Sequence, residues 1–281
     1  MIRPFQMPAV ALLALALVPA AALAQGLGVI KPGSDAPLEI ESDDGIEWRE
    51  AEQVYIASGN VRAAQGEVVV YADRLTAHYR KTAAGKTDVH RLVADGRVRI
   101  VSASETVYAD QGTYDVDRGV LVLTGRELRL ETPDTVIQAR DSLEYYDQEK
   151  YAVVRGEAFL VRDGRRLRAD VLVAYLRDDG QGKTKVYLVR AYDNVLLSTA
   201  NEIVQCDRGE YNLDTGIVTL LGAVRLTRGD NQLNGQRAVI NVRTGVSRLV
   251  GDSSRASAGR VHGLFVPEKE NSVNNDEKRV Q

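Results

Sequence analysis

Residues 59–73 read GNVRAAQGEVVVYAD, and residues 156–170, which lie 97 positions later, read GEAFLVRDGRRLRAD. The same offset brings further residues of the chain into register. The matching pairs are Gly59/Gly156, Asp73/Asp170, Asp110/Asp207, Tyr114/Tyr211, Gly119/Gly216 and Gly125/Gly222. Self-similarity at a fixed period indicates that one structural unit is reused along the chain. We therefore interpret the chain as two tandem copies of a single module.

A finer repeat divides each copy. Glycine-type positions fall at residues 59, 96, 125, 156, 193 (an aspartate), 222 and 251. An acidic residue follows most of them by fourteen places, as Asp73 follows Gly59, while Asp141 follows Gly125 by sixteen and Gln236 takes the last such position. Apolar residues two and four places after the glycine alternate as in a half-buried strand. Around the acidic residue this alternation shifts by one place, which predicts a bulge or a sharp corner there.

These patterns predict an all-β protein. Val, Leu and Tyr dominate, turn pairs such as Asp163-Gly164 and Asn234-Gly235 separate the apolar runs, and no long stretch has helical periodicity. We expect a long run of short, bent antiparallel strands around one apolar face, in the form of a jelly roll or strand stack. Such a stack ends in open strands, predicted near Gln53–Ala57 and Val246–Val250, and open edges invite pairing with another chain.

The N-terminal sequence predicts export. Arg3 is followed by an apolar run from Ala9 to Val18 and by Ala22-Leu23-Ala24, which is typical of a signal peptide cleaved after Ala24. The predicted organisation is therefore a signal peptide over residues 1–24, a leader over 25–37, a first repeat module over 38–155, a second over 156–251, and a disordered tail over 252–281. Within that tail, Leu264-Phe265-Val266 is either a docking peptide or incidental.

The sequence contains no convincing catalytic, metal-binding or nucleic-acid-binding motif. Cys206, the one cysteine, aligns with alanines such as Ala72 and Ala109, so we interpret it as a small core residue. Two Gly-Lys-Thr segments lie at residues 85–87 and 182–184. Both lack the upstream glycine of a phosphate-binding loop and are predicted to be hairpin tips. His78, His90 and His262 do not have the spacing of metal ligands. With 36 Lys and Arg against 39 Asp and Glu, the charge argues against nucleic acid as a partner. We predict no enzyme activity, cofactor or metal.

At this point the residues resemble a known family. The segment Ile40 to Trp48 is followed by Gly59-Asn60-Val61 and by Val70-Tyr71-Ala72-Asp73, and the combination is similar to the opening of the OstA/LptA family of periplasmic lipopolysaccharide-transport proteins. Later units, such as Leu220 to Val224, have the same pattern. The resemblance covers roughly residues 38–251. The long loops Thr82–Asp88 and Asp178–Lys185 and the tail depart from it.

The resemblance implies a jelly-roll groove that holds the acyl chains of lipid A, without catalysis. It also implies a bridge in the periplasm between an inner-membrane export subunit and an outer-membrane assembly protein, with head-to-tail pairing of copies through the two strand edges. The predicted lipid-contacting residues point inward: Val61, Val70, Leu75, Val98, Ile100, Leu160, Leu167, Val195, Leu197, Val224, Leu226 and Ile240.

Two other functions remain open at the level of sequence. One is a sibling subunit of the same export pathway, which an uncleaved membrane helix would hold. The other is a structural or carbohydrate-binding β-solenoid whose interior is closed and dry.

Overall fold

A computed structural model describes residues 30, 32, 36–83, 85–178, 180, 184–251 and 260–266. The predicted signal peptide lies outside the described residues, as do most of the leader and most of the predicted tail. The described residues include no helix that is long and apolar enough to cross a membrane. The described residues form eighteen β-strands: β1 (Leu38–Glu41), β2 (Ile46–Arg49), β3 (Val54–Gln65), β4 (Val68–Lys81), β5 (Thr87–Val101), β6 (Thr106–Asp115), β7 (Val120–Thr124), β8 (Leu128–Glu131), β9 (Thr135–Ala139), β10 (Ser142–Tyr146), β11 (Tyr151–Arg162), β12 (Arg165–Asp178), β13 (Thr184–Ser198), β14 (Glu202–Asn212), β15 (Ile217–Arg228), β16 (Asn231–Asn241), β17 (Ser247–Val250) and β18 (His262–Leu264).

The strands form one continuous antiparallel sheet that is folded lengthwise into two leaves. We call each stretch of chain that crosses both leaves a rung. The long strands β3–β6 and β11–β16 are single rungs, while other rungs are split between the leaves. The first leaf contains β2, β7, β10 and β17, and the second contains β1, β8, β9 and β18. The all-β prediction is confirmed, but most strands are long and bent rather than short.

The chain bends at the predicted acidic corners, as in β4, where the pairing with β5 shifts register between Tyr71 and Arg74. It also bends at the glycine positions, where no corner was predicted. In β3, the pairing with β4 shifts register between Ser58 and Val61, and Gly59 and Asn60 have φ angles of 79° and 42°. Gly96 with Arg97 and Gly156 with Glu157 repeat this pair of positive φ angles. Glycine adopts the left-handed region without a steric penalty, which explains its recurrence at the first position. Asp193, the exception in the sequence series, takes the same conformation with φ 57°.

Five corner glycines pack against the corner aspartate of the rung before them. A Cβ atom added to Gly59 would lie 2.5 Å from Oδ2 of Asp44, and one added to Gly125 would lie 2.5 Å from the backbone N of Asp110. The same contact joins Gly96 to Asp73, Gly156 to Asp141 and Gly222 to Asp207. Glycine-type and aspartate-type rungs therefore alternate through the stack. Gly59, Gly96, Gly156 and Gly222 are favoured by both a positive φ angle and the close approach, whereas Gly125 is favoured by the close approach alone.

The two leaves are linked covalently at the corners alone within the described residues. At the opposite side, every turn connects neighbouring strands of the same leaf, as residues 66–67 connect β3 to β4 in the second leaf. We call this side the lip. Inward residues of both leaves form one hydrophobic cluster that includes Val61, Leu123 and Ile240. The molecule is thus a folded sheet that is hinged at the corners and filled with apolar side chains.

The two ends of the stack differ from the prediction in part. Val246–Val250 was expected at an edge, and β17 does lie there, since it pairs with β16 alone among the described strands. The N-terminal prediction of an edge at Gln53–Ala57 is wrong, because residues 54–57 pair with both β2 and β4. The edge there consists of β1 and β2. The predicted disorder of the tail is also wrong at His262–Leu264, which form β18 against β16.

Candidate functional site: the interior between the leaves

The structure brings all twelve predicted lipid-contacting residues into one cluster. Their exposed fractions range from 1% for Val61 to 9% for Val70 and Leu226. Ten of them lie on the second leaf, and Leu75 and Ile240 lie on the first. In the sequence, the alternation of apolar residues shifts by one place around the acidic residue. The corner restores these residues to the inward face, where strict alternation would send them outward.

The sequence analysis missed much of the first leaf's contribution to this interior. The residue two places before each corner glycine also points inward, and the series is Ala57, Ala94, Leu123, Val154, Ala191, Leu220 and Leu249. Leu123 is fully buried, and Leu220 is 5% exposed. The glycine spacing contained this signal, because the strand before a corner alternates as regularly as the strand after it.

The interior is closely packed along most of its length. An apolar cavity of about 190 Å³ lies at the C-terminal end of the stack, lined by Leu226, Leu233, Ala238, Ile240, Ser247, Arg248 and Leu249. A cavity of about 150 Å³ in a protein core holds a molecule the size of benzene. This cavity therefore has room for a segment of an alkyl chain but not for a whole lipid.

Two glutamates at repeat-equivalent positions lie at the second leaf's side of the lip. Glu105 is 5% exposed and begins the inward series that continues with Val107. Glu202 is 8% exposed, and its Oε1 lies 3.7 Å from Nη1 of Arg228. The sequence analysis did not single out either residue. Their placement makes the lip polar while the interior behind it is apolar.

Aromatic side chains occupy the lip side of the N-terminal end. The Trp48 indole Nε1 donates a hydrogen bond of 2.7 Å to Oη of Tyr79. The Tyr55 ring lies between them, 6.1 Å from the Trp48 ring and 5.0 Å from the Tyr79 ring. Tyr79 is 1% exposed, whereas Trp48 is 57% exposed on the edge strand β2. The apolar interior therefore continues to the surface at this end of the stack.

The surroundings of the cysteine and the histidines indicate structural and not catalytic roles. Burial, assisted by the neighbouring Asp207 carboxylate, raises the pKa of the Cys206 thiol to about 12, so the thiol is protonated at neutral pH. It donates to the Arg208 carbonyl oxygen at 3.3 Å. The His78 and His90 rings lie 6.5 Å apart on the outer face, and His262 is on β18. The described residues contain no group of three or more His, Cys, Asp and Glu arranged to hold a metal ion.

The large hydrophobic side chains that are exposed in the described residues lie mostly at the two ends of the stack. Leu38, Ile46 and Trp48 are at the N-terminal end, and Val246, Val250, Val261, Leu264, Phe265 and Val266 are at the C-terminal end. Ile203 and Leu221 are the two that lie between the ends. Exposed apolar residues that cluster in this way mark interaction surfaces.

Comparison with known proteins gives three findings. An uncharacterized protein of Rhizobium meliloti (strain 1021) is 29% identical over 130 residues, which is 43% of this chain and 69% of that protein. The crystal structure of LptH, the LptA-homologous periplasmic component of the lipopolysaccharide transport device of Pseudomonas aeruginosa, matches 47% of this chain and 95% of its own, with 14% identity and a TM-score of 0.40. The family model described as "LptA/(LptD N-terminal domain) LPS transport protein" matches twice, at residues 39–141 and 136–246. Because these matches span well over half of the chain, the protein belongs to this family of lipopolysaccharide transport proteins.

Proposed function

We propose that this protein is a non-catalytic periplasmic carrier that holds the acyl chains of lipopolysaccharide between its two leaves and bridges inner- and outer-membrane export components. The observation that carries the proposal is the single apolar interior that runs through both copies of the repeat. Among the described residues, the two leaves that enclose it are joined at the corners alone. An interior of this kind suits a ligand that is long, apolar and multi-chained.

Binding requires the leaves to separate at the lip. The cavity of about 190 Å³ does not hold a complete acyl chain, and the predicted contacts are buried against one another. Within the described residues, separation at the lip breaks no backbone hydrogen bond of a strand ladder, because every ladder lies within one leaf. It exposes apolar side chains, and each acyl CH₂ group that replaces them recovers about 0.8 kcal/mol. Acyl chains would therefore contact Val61, Ile100, Leu160, Leu197 and the other predicted residues.

The ends of the stack support the bridging part of the proposal. Open edge strands and exposed apolar side chains lie at both ends, where β1 and β2 or β17 and β18 have no further strand beside them among the described residues. An added strand continues a sheet through backbone hydrogen bonds. We infer that export subunits, or further copies of this chain, bind at these edges.

The test uses a photo-crosslinking residue at single positions of the full chain in cells that make lipopolysaccharide. Capture is expected at Leu160 and Val98, which are 5% and 2% exposed on the inward face. Arg62 and Arg99 are the controls, because both point outward from the second leaf, Arg62 of β3 toward Glu41 and Arg99, which follows Val98 on β5, over the Tyr71 ring. Capture at the two arginines without capture at Leu160 or Val98 would overturn the proposal.

A second candidate is a structural solenoid with a dry interior, which the close packing of the twelve inward residues favours. Mass spectrometry of lipids extracted from the purified mature protein separates the two functions. Lipid A species that copurify after mild extraction support the carrier, whereas their consistent absence supports the closed solenoid.

A further inference from the structure

The C-terminal strand β18 completes the last rung of the stack. Gly251 occupies the seventh corner position of the series, after β17 in the first leaf. In β15, the equivalent rung, the chain bends at Gly222 and enters the second leaf, where Leu226 pairs with Leu233. In β18, Gly263 pairs with the same Leu233 from the other side. The second half of the last rung is therefore present, but Gly263 follows Gly251 by twelve residues where Leu226 follows Gly222 by four, so eight extra residues separate it from its corner.

This half-rung is built differently from those inside the stack. It is joined to β16 by three residue pairs, and His262, Gly263 and Leu264 are all exposed. Beyond it, the Phe265 side chain lies over Gly263 and is 67% exposed, and Leu264 is 60% exposed. An equivalent half-rung that has neighbours on both sides, β8, alternates between buried and half-buried residues. Among the described residues, β18 therefore has a strand on one side only and leaves large apolar side chains exposed at its free edge.

The alternation of rungs specifies what fits against this edge. Glycine-type rungs are followed by aspartate-type rungs, and the first rung among the described residues is aspartate-type, formed by β1 and β2 with Asp44 as its corner. A second copy placed with its N-terminal end here continues the series in phase. Without β18, the first leaf would end on the glycine-type β17 and the second leaf on the aspartate-type β16, so the two halves of the edge would be out of phase.

The internal pairings predict the register of this joint. In the second leaf, the residue four places after a corner glycine pairs with the inward residue of the next aspartate-type rung, as Ala63 pairs with Val70 and Leu226 with Leu233. At the joint, Gly263 is equivalent to Ala63 and Leu226, because it pairs with Leu233 as Leu226 does. Ile40 is equivalent to Val70, because both pair with Ala63. The resulting pairs across the joint are Gly263–Ile40, Leu264–Glu39, Phe265–Leu38 and His262–Glu41.

Charge and apolar surface fit the same arrangement. The N-terminal edge has exposed acidic residues at Glu39, Glu41, Asp43, Asp44 and Glu47 and one exposed arginine, Arg49, which pairs with Glu47, whereas the C-terminal edge has Arg248 and Arg260 exposed. Phe265 would meet Leu38, which is 39% exposed. Opposite charges at the two ends favour head-to-tail over head-to-head contact.

We propose that residues 260–266 are a separate docking segment that sets the phase of the C-terminal edge and binds β1 of a second copy of this chain. This inference rests on the proposed end-to-end assembly and adds to it a particular segment, occupant and register. The competing role is a cap that protects β16 and has to leave before a partner binds.

Disulfide trapping tests the register. In a Cys206→Ala background, full-length protein with Leu264→Cys is mixed with full-length protein with Glu39→Cys, in the absence of lipid. Directly opposed residues of an antiparallel pair have Cα atoms about 4.5–5.5 Å apart, which is within the range of a disulfide. We expect a disulfide-linked dimer from this mixture. The control mixes Leu264→Cys with Glu41→Cys, which lies two residues out of register at roughly 7–8 Å. Equal trapping in both mixtures, or in neither, would overturn the register.

Truncation distinguishes docking from capping. We expect a chain that ends at Gly251 to self-associate at least about tenfold more weakly than the full chain in sedimentation velocity, and Phe265→Glu to weaken association with folding intact. Ile203→Glu is the matched control, because Ile203 is 45% exposed and lies away from both ends. Stronger or unchanged association after truncation contradicts the docking role. Lipid capture in the monomeric fraction reports on the carrier function separately, so failure of one proposal does not conceal the other.

Discussion

At the scale of single residues, the corners explain which side chains the fold requires. At two corners, the arginine that follows the glycine donates hydrogen bonds to the corner aspartate of the preceding rung. Nε of Arg97 donates to Oδ1 of Asp73 at 2.8 Å, and the Arg126 backbone N–H donates to Asp110 at 3.0 Å. Periodic aspartates of this kind are structural, because each one serves its own corner rather than a shared site.

Gly96→Ala should destabilise the protein. Its φ angle of +76° is unfavourable for alanine, at roughly 1–3 kcal/mol, and the added methyl group would collide with the Asp73 side chain. Gly164→Ala is the matched control, because Gly164 has φ +74° but has open space where the Cβ atom would be. Urea unfolding of the two variants should show the larger loss at Gly96. Equal losses would mean that the close approach to Asp73 contributes nothing.

Cys206→Ala should be tolerated, with a change in unfolding free energy of less than about 1 kcal/mol, since alanine occupies the equivalent places Ala109 and Ala169. Lipid capture should be retained in the same variant. A loss of capture with unchanged stability would contradict the structural role of this thiol.

At the scale of strands, ion pairs on the outer face join neighbouring rungs. Burial alone would raise the pKa of Glu144, but hydrogen bonds from Arg155 (2.8 Å), Ser142 (2.7 Å) and Tyr146 (2.9 Å) outweigh it and hold that pKa below its ordinary value of 4.5. A carboxyl group whose pKa is lower in the folded state stabilises the fold above its unfolded pKa, and the stabilisation is lost as the pH falls.

Glu144→Gln should therefore reduce the dependence of stability on pH below about 4.5, the ordinary pKa of this group. The measurement is urea unfolding of both proteins from pH 7 to pH 3. The variant should be less stable at pH 7, and the difference should shrink as the pH falls. Glu127→Gln, at an exposed position in the turn between β7 and β8, serves as the control. A difference that is constant with pH would show that the Glu144 charge does not stabilise the fold.

At the scale of the whole molecule, the difference between the corners and the lip supports the proposed carrier. In that role the leaves would separate at the lip without breaking strand pairing, while the corners keep them joined. The two ends present edges of different rung type, and in the proposed assembly one molecule would be a segment of a longer groove.

The first leaf at the same joint provides a further prediction. The internal register places Leu249 opposite Ile46, Arg248 opposite Glu47 and Ser247 opposite Trp48 of the next copy. Because an exposed ion pair contributes about 0.2–1 kcal/mol, Arg248→Glu or Glu47→Arg alone should weaken self-association by roughly 1.4- to 5-fold. A mixture of the two variants should form dimers better than either variant alone, as sedimentation measures. No recovery in the mixture would contradict this register.

Much of this architecture could be predicted from the sequence because its causes are local. Alternation of apolar residues, glycine at left-handed corners and aspartate beside them follow from backbone geometry and recur every rung. The twelve inward residues were identified in this way. The first-leaf residues before each glycine, such as Leu123, obey the same rule and were overlooked rather than hidden.

By itself, the sequence determined the all-β class, the repeat, the corners at the acidic residues and the structural reading of Cys206, because each depends on residues close together along the chain. The bends at the glycine positions became evident only in the structure. Only the tertiary structure decided that β1 and β2 form the N-terminal edge, that Asp44 is the corner residue there, that the interior is packed, and that His262–Leu264 complete the last rung across the inserted residues. These outcomes depend on pairing between distant segments. The free energy of such pairing comes from the neighbouring strand and not from the segment's own sequence.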